Sequence, residues 1–285
     1  MRNNEFLKQG GKGMKKILFT LAVVMVLSLA SSPAHAYLNG WNLNLSVVDG
    51  SYGDLTNVDR LYGAGTATVN QSFGADGIFN DGDYFEENDV VLGIATYFKE
   101  GNAFATGVNT GSNYLYFYAD GLTGSAYNVT PGGFNYGFNP GIGTIQLVIG
   151  PDTDPNNGVV LADLALVAPS AGTSDPYLGG ANQNGTTNLT AVFTNIYYNN
   201  LITWNGLDFA NLPANYISLG LLNTSNLLTG IQPWQDSNGY AGYTASANSD
   251  GPINVDIVPE PATMLLLGSG ILGLAGVGFK KKKRA

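Results

Sequence analysis

Asp152, Asp154 and Asn156 alternate along one short segment, and Asp163 stands at the twelfth position counted from Asp152. Oxygen ligands at positions 1, 3, 5 and 12 are the calcium-loop spacing, since the chain must curl to bring alternate side chains around one hard cation. Asn157 fills the sixth position, where glycine is usual, and asparagine tolerates the left-handed backbone needed there. Asp163 is shorter than the glutamate that normally gives bidentate reach at the twelfth position, and no helical pattern flanks the segment. The same residues also read as an Asp/Asn/Pro turn joining two strands, with Asp163 on a solvent face. Calcium is the one cofactor the sequence suggests.

A second cluster, Asp76, Asn80, Asp81, Asp83, Glu86, Glu87 and Asp89, fits no metal-loop template. So many carboxylates repel one another, which favours a solvated acidic turn. Two carboxylates about 5–5.5 Å or about 6.5–9.5 Å apart would suit glycoside hydrolysis, but no supporting motif accompanies these acids. The expectation is a protein without catalytic residues, with a calcium-dependent hydrolase as the third reading.

Composition removes further chemistries. The chain has no cysteine, and its single histidine, His35, precedes the body. Without them there is no Ser-His-Asp or Cys-His nucleophile, no zinc site of the HExxH type and no imidazole base. The segment 37–261 carries 20 acids against two bases, Arg60 and Lys99, a net charge near −18. Nucleic acid is therefore excluded as a partner by electrostatics. Aromatic residues keep a sugar-binding reading open: Trp41, Trp204, Trp234 and the alternating Tyr114, Tyr116 and Tyr118 can stack on sugar rings, or can fill a core.

The elements that must position these residues are strands. Residues 41–47 alternate apolar and polar with period two, and 90–98, 114–118, 144–149, 159–167 and 189–198 are β-branched and aromatic runs bounded by Gly, Asn, Asp or Pro. Asn-Gly begins at 39, 157, 184, 205 and 238, a strong turn signal. Helical signal is confined to 205–211 and 219–228. The predicted fold is all-β, an antiparallel β-sandwich of jelly-roll type over 37–240. The Ser/Asn/Gly/Asp-rich stretch 241–258 reads as a flexible spacer.

Ten of the 12 bases lie at the two ends. Met14-Lys15-Lys16, the apolar run 17–30 and the small residues Ala34 and Ala36 form a secretory signal over 1–36, cleaved after Ala36 by signal peptidase following Sec export. Translation is expected to start at Met14, because Gly10-Gly11 can encode a ribosome-binding sequence. At the other end, Val258, Pro259, Glu260 and Pro261 precede the uncharged segment 262–279 and the basic tail 280–284. A helix over 262–279 reaches about 27 Å, close to the bilayer core, and its basic tail would remain in the cytoplasm. Pro-Glu-Pro, glycine-rich span and basic tail in that order resemble the PEP-CTERM sorting signal, here 259–285. The resemblance implies an exosortase partner, transient anchoring in the inner membrane and removal of the tail in a Gram-negative, exopolysaccharide-making bacterium.

The body adds a looser resemblance. Trp41-Asn-Leu43-Asn-Leu45, Asn57-Val-Asp59, the run 73–79, Phe85-Glu86-Glu87 and the run 114–121 are similar to the flocculation-associated branch of PEP-CTERM proteins. That likeness implies a structural or adhesive role at the cell surface or in extracellular polysaccharide. A carbohydrate-binding module is the alternative.

Overall fold

The computed structural model describes residues 36–108, 113–176 and 183–258. The signal segment, the membrane span expected at 262–279 and the basic tail lie outside these residues. Among the described residues, no helix is long and apolar enough to cross a membrane.

The described chain is all-β, as expected. Its strands are β1 (Ala36–Tyr37), β2 (Trp41–Leu43), β3 (Leu55–Val58), β4 (Arg60–Ser72), β5 (Tyr84–Lys99), β6 (Asn102–Ala105), β7 (Tyr114–Asp120) and β8 (Leu122–Thr130). They continue with β9 (Gly133–Phe138), β10 (Thr144–Gly150), β11 (Val159–Ser174), β12 (Gln183–Ile196), β13 (Ile202–Trp204), β14 (Leu207–Asp208), β15 (Ile217–Gln235) and β16 (Ala241–Ile257). Every pairing is antiparallel.

The topology differs from the predicted sandwich. β4 pairs with β5, β5 with β7 and then β8, and these with β10 and β9, which both pair with β11. β11 pairs with β12, β12 with β15, β15 with β16, and β16 returns to β4. The ladder closes on itself. β7 and β8 run end to end along β5 with a break at Gly121 (φ +65°), and β9 and β10 run end to end beside them with a break ending at Gly143 (φ +81°). Counted that way, the body is an eight-stranded up-and-down barrel rather than a jelly roll. Closure satisfies the backbone of the long strands without leaving two sheet edges, which a sandwich would retain.

The segment predicted as a spacer is β16. Its Ser, Asn and Asp residues hide a period-two apolar row: Tyr243, Ala245, Ala247, Ile253 and Val255 are buried. Likewise 219–228, one of the two helical candidates, is part of β15, whose backbone must pair with both β12 and β16. The other candidate yields only a 3₁₀ turn, Phe209–Asn211. The strand expected over 41–47 ends at Leu43 and gives way to a 3₁₀ turn, Leu45–Val47.

One end of the barrel is filled. A four-stranded sheet in the order β14-β13-β2-β3, together with the turns that flank its strands, supplies Trp41, Leu43, Leu45, Leu201, Ile202 and Phe209 to a cluster shared with Leu92, Ile94, Leu115, Phe117, Ile149 and Ile253 of the barrel strands. Each fully buried side chain of this size contributes about 1.5–3 kcal/mol. The other end is lined by a second cluster, Phe85, Leu122, Ala126, Phe134, Tyr136 and Phe138. Ladder irregularities separate the halves: register shifts fall at Thr66/Thr68, Val167/Ala171, Thr187/Leu189 and Leu221/Ser225, in line with Gly121 and Gly143. Strands are pressed tightly there, since a Cβ on Gly65 would lie 1.7 Å from the Val91 carbonyl oxygen.

Candidate functional site

The calcium-loop residues do not converge. Asp152 and Asp154 sit in the β10–β11 connection, where each carboxylate closes a local turn. Asp152 accepts from the Asp154 amide (3.0 Å) and from Asn157 Nδ2 (3.0 Å), while Asp154 accepts from the amide and Nδ2 of Asn156 (both 2.9 Å). Asp154 thereby caps the 3₁₀ turn Pro155–Asn157. Asp163 lies well along β11, about 13 Å of strand from its start. There it accepts from Gln146 Nε2 (3.0 Å) and from the Tyr197 hydroxyl, a bond that raises the Tyr197 pKa. Among the described residues no group of three or more His, Cys, Asp or Glu is placed to hold a metal ion. Asp152 and Asp154 are thus engaged in their own turn, and Asp163 lies apart from them on β11.

The turn instead covers Tyr116. That side chain is fully buried, and a Cβ on Gly158 would sit 3.1 Å from its hydroxyl, which has no hydrogen-bond partner among the described residues. Burial, followed by the charges of Asp152 and Asp154, pushes the phenol up to about 12. The strip of Tyr114, Tyr116 and Tyr118 is therefore not an exposed stacking surface: Tyr116 is enclosed, and only Tyr114 is exposed. Trp41 is core, Trp204 packs against the core and donates to the Asn39 carbonyl (3.0 Å), and Trp234 is half-buried on β15.

The second acidic cluster disperses. Asp76 accepts from the Ile78 amide (3.0 Å) and Asn80 Nδ2 (2.9 Å), Asp83 from the Asn80 amide (2.6 Å), and Asp81 from the Val129 amide (2.7 Å). These bonds build the connection between β4 and β5. Burial raises the Asp83 pKa. Glu87 behaves differently. Strand alternation sends Glu86 and Glu87 to opposite faces, and Glu87 follows Phe85 into the barrel. It lines two adjoining interior clefts, one of them bounded by Val69, Gln71, Phe134, Tyr136 and Tyr243. Glu87 is half-buried, and desolvation pushes its carboxyl up to about 7. The clue in the sequence was the two-residue offset from Phe85.

The last site is the edge of β16. β1 pairs with its end, Ala36 opposite Ile257 and Tyr37 opposite Asp256, and the Leu38 amide donates to the Val255 carbonyl (2.8 Å). Ala36, the expected residue before signal cleavage, and Ile257, the last residue before Val258, are thus backbone neighbours. Ala34, Pro259, Glu260 and Pro261 lie outside the described residues. Residues 258–283 match the family model of the PEP-CTERM protein-sorting motif. The chain carries an exosortase sorting signal. The chain matches no curated protein and no solved structure. The PEP-CTERM motif implies export, exosortase as processing partner and processing while anchored at the membrane. It begins directly after β16, so no spacer separates the folded body from the motif.

Proposed function

We propose that this protein is delivered to the outer cell surface or extracellular matrix of a Gram-negative bacterium, where it serves a structural or adhesive role in exopolysaccharide, floc or biofilm. The carrying observation is the PEP-CTERM motif at 258–283 immediately behind a closed, acidic barrel. Sec and signal peptidase remove 1–36; exosortase then acts near Pro259-Glu260-Pro261 and releases the body from the inner membrane. The absence of cysteine and of histidine from the body, together with its dispersed carboxylates, supports a non-enzymatic role. An acidic, neutral-amide-rich surface suits contact with hydrated polysaccharide and repels nucleic acid.

Processing and role are tested separately. In an exosortase-positive host, Glu260→Ala should leave a longer, membrane-retained form on immunoblots of cell fractions. Identical processing of wild type and variant would overturn the sorting assignment. A strain lacking the protein should aggregate less and retain less matrix polysaccharide; unchanged settling and polysaccharide content would overturn the adhesive role while leaving export intact.

A further inference from the structure

The first and last strands of the body meet along one edge. β16 pairs with β15 on one side and, on the other, with β4 as far as Ile253, which lies opposite Leu61. Beyond that point β1 takes the place of β4: Tyr37 is cross-strand from Asp256, and the Leu38 amide donates to the Val255 carbonyl (2.8 Å). Asp256 is only 3 % exposed, and its partner on the β15 side is the buried Ser218. Cross-strand partners share a face, so Tyr37, Asp256 and Ser218 form one row across three strands.

A buried carboxylate is stabilised by positive charge placed beside it. The two side-chain bases of the body stand elsewhere. β4 lies between β16 and β5, and Arg60 turns towards β5, its guanidinium 4.2 Å from the Phe98 ring centroid. Lys99 is on β5 itself, two strands from β16. Ser218 on β15 and Asn254 on β16 do not titrate near neutrality. Asp59, just before β4, adds a further negative charge at this end. A positive charge at Tyr37 would enter the row directly.

We propose that removal of the signal peptide places a counter-charge beside Asp256: the new α-ammonium of Tyr37 forms an ion pair with its carboxylate. This rests on cleavage after Ala36, which the proposed function includes. Hydrolysis of the Ala36–Tyr37 bond consumes one water and leaves a carboxylate on Ala36 and, at neutral pH, an ammonium on Tyr37. Before the cut that nitrogen is an uncharged amide. After it, the pairing of Tyr37 and the bond from the Leu38 amide hold the new chain end against β16. Facing Cα atoms in an antiparallel pair are about 4.5–5.5 Å apart, within reach of an aspartate and a terminal amine. The first processing step thereby fixes the end of β16, directly ahead of the sorting motif at 258–283.

The test starts from exported protein purified from an exosortase-positive host. N-terminal sequencing should give Tyr37; any other start would overturn the proposal through its cleavage step and leave the sorting signal untouched. The pH dependence of acylation of the α-amine, read by mass spectrometry of the N-terminal peptide, then gives its titration. An ordinary α-amine titrates at about 7.7–8.0. Beside Asp256 it should titrate at least about one pH unit higher, and Asp256→Asn should return it to the ordinary range. A Gly-Ser insertion between Ala36 and Tyr37 moves the amine about 7 Å away and should do the same, with the body's own residues unchanged. The folded state holds this proton more tightly, so the added stability is complete below about pH 7.7 and is lost as pH rises through the raised value. Wild type should therefore melt above the insertion variant at about pH 7 and lose that lead by about pH 10. Circular dichroism checks that both variants fold, and the insertion decides the matter if Asp256→Asn does not. An ordinary amine titration in wild type starting at Tyr37, or the same titration in the insertion variant, would overturn the ion pair itself.

Discussion

A carboxylate inside a barrel costs stability only when ionised, which makes Glu87 measurable without any ligand. Desolvation raises its pKa from 4.5 to about 7. The folded state therefore holds this proton more tightly than the unfolded state. The associated stability is complete below about pH 4.5, declines between about pH 4.5 and 7, and is level above that. The window amounts to about 3 kcal/mol, roughly 5–10 °C in melting temperature for a body of this size. Glu87→Gln cannot ionise, so its melting temperature relative to wild type should climb between about pH 5 and pH 8. Paired thermal melts across that range check it; a constant gap would mean that Glu87 is solvated. The sequence concealed this residue because the acids at 81, 83, 86, 87 and 89 suppress the apolar signal of β5, which was expected to begin only at Val90 but begins at Tyr84. By contrast, the turn chemistry of Asp152 and Asp154 was legible, because short acceptors beside proline and asparagine satisfy their own backbone.

Strand interiors were easier to read than strand lengths. The runs at 90–98, 114–118, 144–149, 159–167 and 189–198 all lie within strands or across their ends, since β-branched and aromatic residues fit a pleated surface facing a core. Extensions such as β16 were hidden, because alanine and serine alternate there in place of valine and threonine. Small residues are required where strands approach closely. Gly65 of β4 is such a point: an added Cβ would fall 1.7 Å from the Val91 carbonyl oxygen, a backbone atom that cannot swing aside. Gly65→Ala should therefore cost about 1–3 kcal/mol or more, by forcing β4 and β5 apart. Urea titration of the variant checks this. The exposed Gly53, with open space around its Cα, should tolerate alanine with little change. Equal midpoints for the two variants would show that the β4–β5 contact is looser than described.

Closure is a property of the whole chain, and it was the least legible feature. The pairing of β4 with β16 joins residues near 61–72 to residues near 242–253, and nothing local in either strand distinguishes a barrel partner from a sandwich partner. Net charge, in contrast, was readable from composition and has a global consequence. A body near −18 repels itself, so any divalent cation should raise its melting temperature by screening. A specific site adds a second effect: ligand at 100 times its dissociation constant stabilises by about 2.7 kcal/mol. In a body of this size that is roughly 5–10 °C. The carboxylates of Asp152 and Asp154 close their own turn, and Asp163 is held by Gln146 and Tyr197 further along β11. Millimolar calcium and magnesium should therefore raise the melting temperature by the same amount. Asp152→Ala combined with Asp154→Ala should lower stability equally in both salts, because it removes the cap over Tyr116 rather than a metal ligand. A calcium increment several degrees above that of magnesium, erased by the double substitution, would restore the ion-binding reading of the β10–β11 turn.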